Sequence, residues 1–136
     1  METQKKCKEL VRASLKGIMA DITKLWELYQ KDYEASDPNL GTWNDYGLCV
    51  DYVTPGTFER QRRGYIRFQL SWGGPSEEFR FFLDERRQID RVDFWCLNWF
   101  DGAKITLRGE HLETMTEIFE DWREIGAIDQ KIEEAT

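Results

Sequence analysis

Residues 65–107 contain successive short segments in which apolar and polar side chains alternate, and this alternation restricts the fold more than any other feature of the chain. In residues 65–72 (YIRFQLSW) every second side chain is apolar, which is the period of a β-strand that buries one face. The segment 89–100 is apolar on both faces, which indicates a strand in the interior of a sheet. Comparable patterns predict further strands at residues 48–53, 78–83 and 103–107.

Short polar connections join these segments. Thr54-Pro55-Gly56-Thr57 has proline and glycine where a type II turn favours them, and Asp101-Gly102 is typical of a tight hairpin. Gly73-Gly74-Pro75 and Asp84-Glu85-Arg86-Arg87 are also predicted to turn the chain. Because short connections place neighbouring strands antiparallel, we expect one antiparallel meander sheet of four to five strands.

Two amphipathic helices are predicted, one before and one after the strands. Residues 3–34 carry apolar side chains at every third or fourth position, and Ala35-Ser36-Asp37-Pro38-Asn39 would end that helix. Residues 109–125 repeat the pattern, and Gly126 suits the position just past a helix end. Residues 126–136 are predicted to be a polar C-terminal tail, with one more helical turn as the alternative. The order predicts a single α+β domain of 136 residues, with the long N-terminal helix and the C-terminal helix packed on the sheet.

The composition predicts a globular cytoplasmic chain. An aromatic content of 14% argues against disorder, and the absence of a long apolar run argues against a transmembrane helix. The charged N-terminal segment METQKKCKELVRASLKG lacks the apolar core of a secretion signal. Cys7, Cys49 and Cys96 are therefore expected to be free thiols, and the strand patterns place Cys49 and Cys96 in the core.

The net charge of −7 originates in the last fifth of the chain. Residues 110–136 hold nine acids and two bases, whereas residues 1–109 hold 17 of each. A negative field of this kind repels nucleic acid phosphates and attracts basic surfaces, so direct nucleic-acid binding is not expected.

Six acidic side chains of the second predicted helix form the candidate binding site. At 100° per residue, five glutamates fall within about 80° of one another, opposite the apolar stripe, and an aspartate lies at their edge. These residues are Glu110, Glu113, Glu117, Glu120, Asp121 and Glu124. Like charges at this spacing cost about 0.3 kcal/mol per pair. The row either keeps the protein soluble or docks on a basic groove by imitating a phosphate backbone.

No catalytic, metal or cofactor site is predicted. The single histidine, His111, stands beside Glu110 and Glu113, but no HExxH motif or Cys/His cluster accompanies it, so a surface position is expected. A Cys–His nucleophile would need a thiol such as Cys96 next to His111, and that thiol is predicted to be buried. Neighbouring carboxylates occur by chance among 26 acids, and the standard phosphate-binding glycine loops are absent.

One pattern points weakly toward nucleic acid. Arginine and aromatic residues interleave at Tyr65-Ile66-Arg67-Phe68, close to the basic stretch Arg60-Gln61-Arg62-Arg63. Such a pattern can stack bases and hold phosphates. The sequence pI of about 4.8 argues against this interpretation, because nucleic-acid-binding proteins are usually basic. The alternative is that Arg67 pairs with an acid across the sheet.

Three stretches resemble small proteins carried by bacterial plasmids, integrative elements and phages. They are Asn44-Asp45-Tyr46-Gly47-Leu48 with Asp51-Tyr52-Val53, the string QLSWGGPSEEFRFF within residues 65–82, and Trp99-Phe100-Asp101-Gly102-Ala103. The resemblance spans about residues 40–125 and implies no catalytic or ligand residues. In being short, acidic and without enzyme motifs, the chain is also similar to anti-CRISPR and anti-restriction proteins.

Together these features predict a non-enzymatic inhibitor in a bacterial cytoplasm. Its expected partner is the basic surface of a nucleic-acid-binding protein or nuclease complex that belongs to a host defence system. An immunity or antitoxin-type protein that neutralises a toxin is the alternative with the same binding physics. Two further alternatives are a small enzyme that uses Cys96 or His111, and a homodimer through an aromatic sheet that includes Trp95 and Trp99.

Overall fold

The computed structural model describes residues 6–71, 75–98 and 101–136, and within these ranges the chain forms three α-helices and seven strands. The helices are α1 (Cys7–Lys31), α2 (Gly109–Glu124) and α3 (Ala127–Ala135). The strands are β1 (Ser36–Asp37), β2 (Gly41–Thr42), β3 (Cys49–Val53), β4 (Tyr65–Ser71), β5 (Ser76–Leu83), β6 (Ile89–Asn98) and β7 (Asp101–Thr106). A 3₁₀ turn, Trp43–Asp45, follows β2. None of these helices combines the length and the hydropathy that a membrane crossing demands.

The central sheet is the predicted antiparallel meander. Its five strands lie in chain order, β3-β4-β5-β6-β7, and every neighbouring pair is antiparallel. The register aligns Phe68, Phe79 and Phe94 on three adjacent strands. The interior position predicted for residues 89–100 is confirmed for β6, while residues 99–100 lie outside the described ranges.

Helices cover one face of this sheet. Alternate residues of β4, β5 and β6 join side chains from all three helices in one core cluster, as a half-buried sheet requires. Phe81 stacks on Phe119 of α2 with ring centroids 5.2 Å apart, and the edge of Trp122 meets Phe81 at 5.8 Å. Val53, Tyr65 and Phe82 form a second, small cluster from the intervening positions, on the face without helices.

The long N-terminal helix is shorter than the predicted 3–34. It ends at Lys31 because Asp32 adopts an extended backbone, and Ser36–Asp37 then pairs with Gly41–Thr42 in a small hairpin. The buried Asp37 carboxylate fastens that hairpin, since Lys24 reaches it at 2.6 Å and the backbone N–H groups of the following turn donate to it. The hydrogen bond from Lys24 lowers the pKa of Asp37. Residues 3–5 lie outside the described ranges.

The prediction of a polar tail at residues 126–136, with at most one more helical turn, needs correction because Ala127–Ala135 form a helix of nine residues. Gly126 takes the left-handed conformation expected just past a helix end, with φ 81°, and the chain then enters α3. Ile128 and Ile132, one helical turn apart, are 1% and 9% exposed and join the core. A short helix can therefore be anchored by two apolar residues even though its composition is mostly polar.

Two further predictions about the strands need correction. Asp101 and Gly102 are not the hairpin turn, because they pair with Asn98 and Leu97 as the first residues of β7. Cys49 is exposed on the edge strand β3 rather than buried in the core, because its partner on the same face is the polar Gln69. The positive φ of Gly56, 79°, agrees with the predicted turn at residues 54–57.

The other two thiols are buried. Cys7 begins α1, where its backbone N–H donates to Asp101 Oδ2 at 2.6 Å, and Cys96 lies fully buried in β6. Burial raises the pKa of Cys7, and burial together with a hydrogen bond to Cys7 raises the pKa of Cys96 to about 12. These two groups are therefore neutral and shielded at physiological pH.

We expect the packing of α3 to contribute measurably to the free energy of unfolding. Ile128→Ala should lower the free energy of unfolding by about 2–5 kcal/mol, because it removes a buried side chain and leaves a cavity. Ile125→Ala should change it by less than about 0.5 kcal/mol, since Ile125 is 73% exposed. Urea unfolding of both variants measures the difference, and equal effects would show that α3 does not pack on the sheet.

The thiols should react in two classes with a disulfide reagent such as Ellman's reagent at pH 8. Cys49 should react in the folded protein, and the two buried thiols should react only after urea unfolding. Cys49→Ser should remove the fast phase and leave the slow phase unchanged. A fast phase that survives in Cys49→Ser would contradict the burial of Cys7 and Cys96.

Candidate functional site

The predicted acidic residues lie on the outer side of α2. Met115, Ile118 and Phe119 turn toward the sheet and are fully buried, so the opposite side of the helix faces solvent. We call the six acids together the acidic face. Within it, the exposed members are Glu110, Glu113, Glu117 and Glu124, and the half-buried members are Glu120 and Asp121.

Two members of the acidic face already have partners inside the molecule. The indole N–H of Trp26 on α1 donates to Glu117 at 3.3 Å, and Arg123 pairs with Glu120 at 3.0 Å. Within the described ranges, Glu110, Glu113 and Glu124 make no ion pair. These three exposed carboxylates are available to a partner, and the half-buried Asp121 also makes no ion pair within the described ranges.

Four of the six acids in the five-stranded sheet are in ion pairs, whereas Glu77 and Asp101 make none within the described ranges. Asp51 accepts two hydrogen bonds from Arg67, at 3.0 and 2.7 Å, across the β3–β4 pair. Asp93, fully buried, lies 3.2 Å from Arg91 and 3.5 Å from Lys104. The ion pair between Arg67 and Asp51 confirms the alternative in which Arg67 pairs with an acid across the sheet. The hydrogen bond to Asp51 raises the pKa of Arg67.

The acids of α3 are intermediate between these two cases. Asp129 pairs with Arg87 at 2.6 Å, and Glu134 lies 3.8 Å from Lys131. Glu133 is exposed and makes no ion pair within the described ranges. Uncompensated negative charge is therefore concentrated on α2 rather than spread over the whole C-terminal segment.

A shallow groove of about 410 Å³ separates α1 from the first turns of α2. Lys16 and Lys24 lie on one side of it, and Glu110 and His111 lie on the other. His111 is exposed, as expected, and no group of three or more His, Cys, Asp and Glu side chains within the described ranges could hold a metal ion. Lys16 reduces the negative potential at the N-terminal end of the acidic face, whereas Lys24 is paired with Asp37 and Glu27 lines the same side of the groove.

A second candidate site lies on the sheet face without helices. Residues 58–63 of the β3–β4 connection lean over that face and enclose a pocket of about 450 Å³, which we call the arginine pocket. Five arginines line it: Arg60, Arg62, Arg63, Arg80 and Arg91. Four aromatic residues line it as well: Phe58, Tyr65, Phe82 and Trp95.

Cations and aromatic rings alternate along the wall of this pocket. The Arg80 guanidinium lies between the rings of Tyr65 and Trp95, 4.9 and 4.3 Å from their centroids. Phe82 lies between Arg91, at 4.4 Å, and Arg63, at 5.3 Å. Each such contact stabilises by about 0.5–2 kcal/mol, depending on how far the cation is desolvated.

Sequence reasoning missed most of this pocket. It noted the basic stretch at residues 60–63 but did not connect it with Arg80, Arg91 and Trp95, which lie on two other strands. The available signal was the strand period, which turns these three side chains away from the helix-covered face. Trp95 is half-buried here beneath Arg80, and Trp99, the other aromatic of the homodimer hypothesis, lies outside the described ranges.

Comparison of this chain with protein-family models, with curated proteins and with solved structures finds no significant match.

Proposed function

We propose that this chain is a non-enzymatic protein-binding inhibitor of a bacterial host defence system, of the anti-CRISPR or anti-restriction kind. In this proposal the acidic face occupies a basic nucleic-acid-binding site on the partner. The observation that carries it is the set of exposed carboxylates without an ion pair on α2, within the described ranges, in a molecule where four of the six acids of the five-stranded sheet are in ion pairs. Charge that serves only solubility has no reason to be concentrated on one rigid helix.

The spacing of these carboxylates suits a surface built for phosphates. Acids three or four residues apart on a helix follow one another at about 5–6 Å along the axis. A nucleic-acid strand presents one negative charge per about 3.4 Å, so the lysines and arginines that bind it are arranged in rows of similar scale. The acidic face can therefore compete for such a row as a DNA mimic.

The rest of the fold supports α2 for this role. The aromatic contacts of Phe119 and Trp122 fix the helix on the sheet, and Trp26 and Arg123 fix two of its carboxylates. A preorganised charged surface loses little side-chain freedom on binding, and its field accelerates association with an oppositely charged partner. The same surface would also suit an antitoxin, and the genes beside this one would separate that alternative.

We expect expression of the chain to restore plaque formation by a targeted phage in at least one strain of a panel, each strain carrying a single CRISPR or restriction system. Glu113→Lys combined with Glu124→Lys should abolish that protection, because it reverses two unpaired charges at the interface. Efficiency of plating is the measurement. If no strain of the panel is affected, the proposed function is wrong.

A matched control separates the acidic face from net charge. Glu34→Lys combined with Glu85→Lys makes the same change in total charge at exposed positions outside α2, and it should protect as well as the original chain. Thermal unfolding of both double variants tests that each is folded. Loss of protection in both would indicate that total charge matters, and this would contradict a role for the acidic face.

The interaction with the purified target should depend on salt. Between 50 and 200 mM NaCl we expect affinity to fall by about tenfold or more, because counterions screen exposed charges. The Glu113→Lys, Glu124→Lys variant should bind at least about tenfold more weakly at the low salt concentration. Isothermal titration calorimetry measures both effects, and an affinity independent of salt would argue against charge complementarity.

A further inference from the structure

The arginine pocket is independent of the acidic face, because α2 packs on the opposite side of the sheet. Its floor is formed by alternate residues of β4, β5 and β6, and its rim by residues 58–63. A volume of about 450 Å³ falls within the range of small-molecule sites. Nothing in the binding mode proposed for α2 uses this cavity.

The rim is held in place before any ligand arrives. The Gln61 side chain donates to the carbonyls of Thr54, at 3.0 Å, and Arg63, at 2.8 Å, and accepts from the Phe58 N–H at 3.0 Å. The Gly56 N–H also donates to the Gln61 carbonyl at 3.0 Å. The connection is therefore a folded loop with defined positions for its side chains, which lowers the entropy cost of binding.

Three of the five arginines are engaged by acids of the sheet. Arg63 pairs with Asp90 at 2.9 Å, Arg80 with Glu78 at 2.7 Å, and Arg91 with Asp93 at 3.2 Å. These guanidiniums stack on the aromatic rings and build the wall of the pocket.

The other two arginines, Arg60 and Arg62, are exposed and have no carboxylate partner in the part of the chain that the structure describes. Arg60 has φ 63°, a left-handed conformation more usual for Gly or Asn, and its side chain lines the pocket. The rim therefore presents two guanidiniums without an ion pair, the groups that bind phosphate oxygens in pairs, and one carboxylate, Glu59, which also lines the pocket.

Three donors beneath the pocket, on Tyr65, Arg91 and Trp95, lack a hydrogen-bond acceptor within the described ranges and are almost fully closed off from solvent. Tyr65 is 2% exposed, and its hydroxyl has no hydrogen-bond partner within the described ranges. The indole N–H of Trp95 is likewise buried and without a partner there. Buried polar groups are rarely left in this state, since an unmade hydrogen bond is costly. Burial raises the pKa of Tyr65, so its hydroxyl remains a donor at neutral pH.

We propose that the arginine pocket binds a nucleoside monophosphate. Arg60 and Arg62 hold the phosphate, and the half-exposed ring of Phe58 stacks on the base. The cavity is larger than a phosphate alone needs, and the aromatic rim gives a base its surface. A net charge of −7 disfavours a long polyanionic strand, which favours the single nucleotide.

The first experiment is calorimetric titration with AMP, GMP, CMP and UMP, and with inorganic phosphate as a separate probe. At least one nucleotide should bind with 1:1 stoichiometry and at least about tenfold more tightly than phosphate. Arg60→Ala combined with Arg62→Ala should weaken binding about tenfold or more, since both phosphate partners are removed. Arg12→Ala combined with Arg108→Ala changes the charge equally at exposed positions outside the pocket and should leave binding unchanged.

Tyr65→Phe separates a ligand-binding role from a structural one. The ring and its stacking remain, so the ligand-free variant should unfold at the same temperature or a higher one, because an unsatisfied buried hydroxyl has been removed. Its affinity for the nucleotide should be unchanged, because the hydroxyl is closed off from the open pocket. A loss of affinity would contradict the placement of the ligand on the rim.

Three results would overturn the proposal. They are the absence of binding by all four nucleotides, equal affinity for phosphate and nucleotide, and an affinity for oligothymidylates that rises steadily from one to ten residues, which would indicate a strand. The Arg60→Ala, Arg62→Ala variant should still protect in the phage assay, because its acidic face is intact. The two proposals can therefore fail separately.

Discussion

The packing of α2 on the sheet determines where both candidate surfaces lie. Phe119 stacks on Phe81, and Trp122 meets Phe68 and Phe81 edge-on, with centroid distances of 5.2 to 5.8 Å. These contacts turn one side of the helix inward, so its carboxylates must point outward. The helices therefore cover one face of the sheet. The loop at residues 58–63 and the arginine pocket lie on the other face.

The distribution of ion pairs gives these surfaces opposite signs. On the sheet, acids and arginines face each other across neighbouring strands or along one strand, so most of their charge is cancelled locally. On α2, Arg123 is the basic partner within the described ranges, and it neutralises only Glu120. A modest excess of acids in the sequence thus becomes a concentrated negative surface, because α2 itself contains only one lysine or arginine, Arg123.

The sequence predicts the sheet well, because the two-residue period of β4 and β5 places Ile66, Phe68, Phe79 and Phe81 on one face, and all four are buried in the main core. The prediction from sequence fails where a turn signal competes with strand pairing, and where a helical pattern is very short. Asp101-Gly102 has the chemistry of a turn, yet β6 offers partners for both residues. In α3, the helical signal consists of Ile128 and Ile132 alone, and only the turn at Gly126 brings them back to the core.

The arginine pocket could not be predicted, because it depends on the register of three strands. Arg67, Arg80 and Asp93 occupy one line across the sheet, which places two guanidiniums side by side. That arrangement is tolerable because each has its own carboxylate, Asp51 for Arg67 and Glu78 for Arg80. With these acids engaged inside the sheet, they cannot neutralise the arginines of the rim. The same pairing that stabilises the sheet therefore leaves Arg60 and Arg62 free for an anionic ligand.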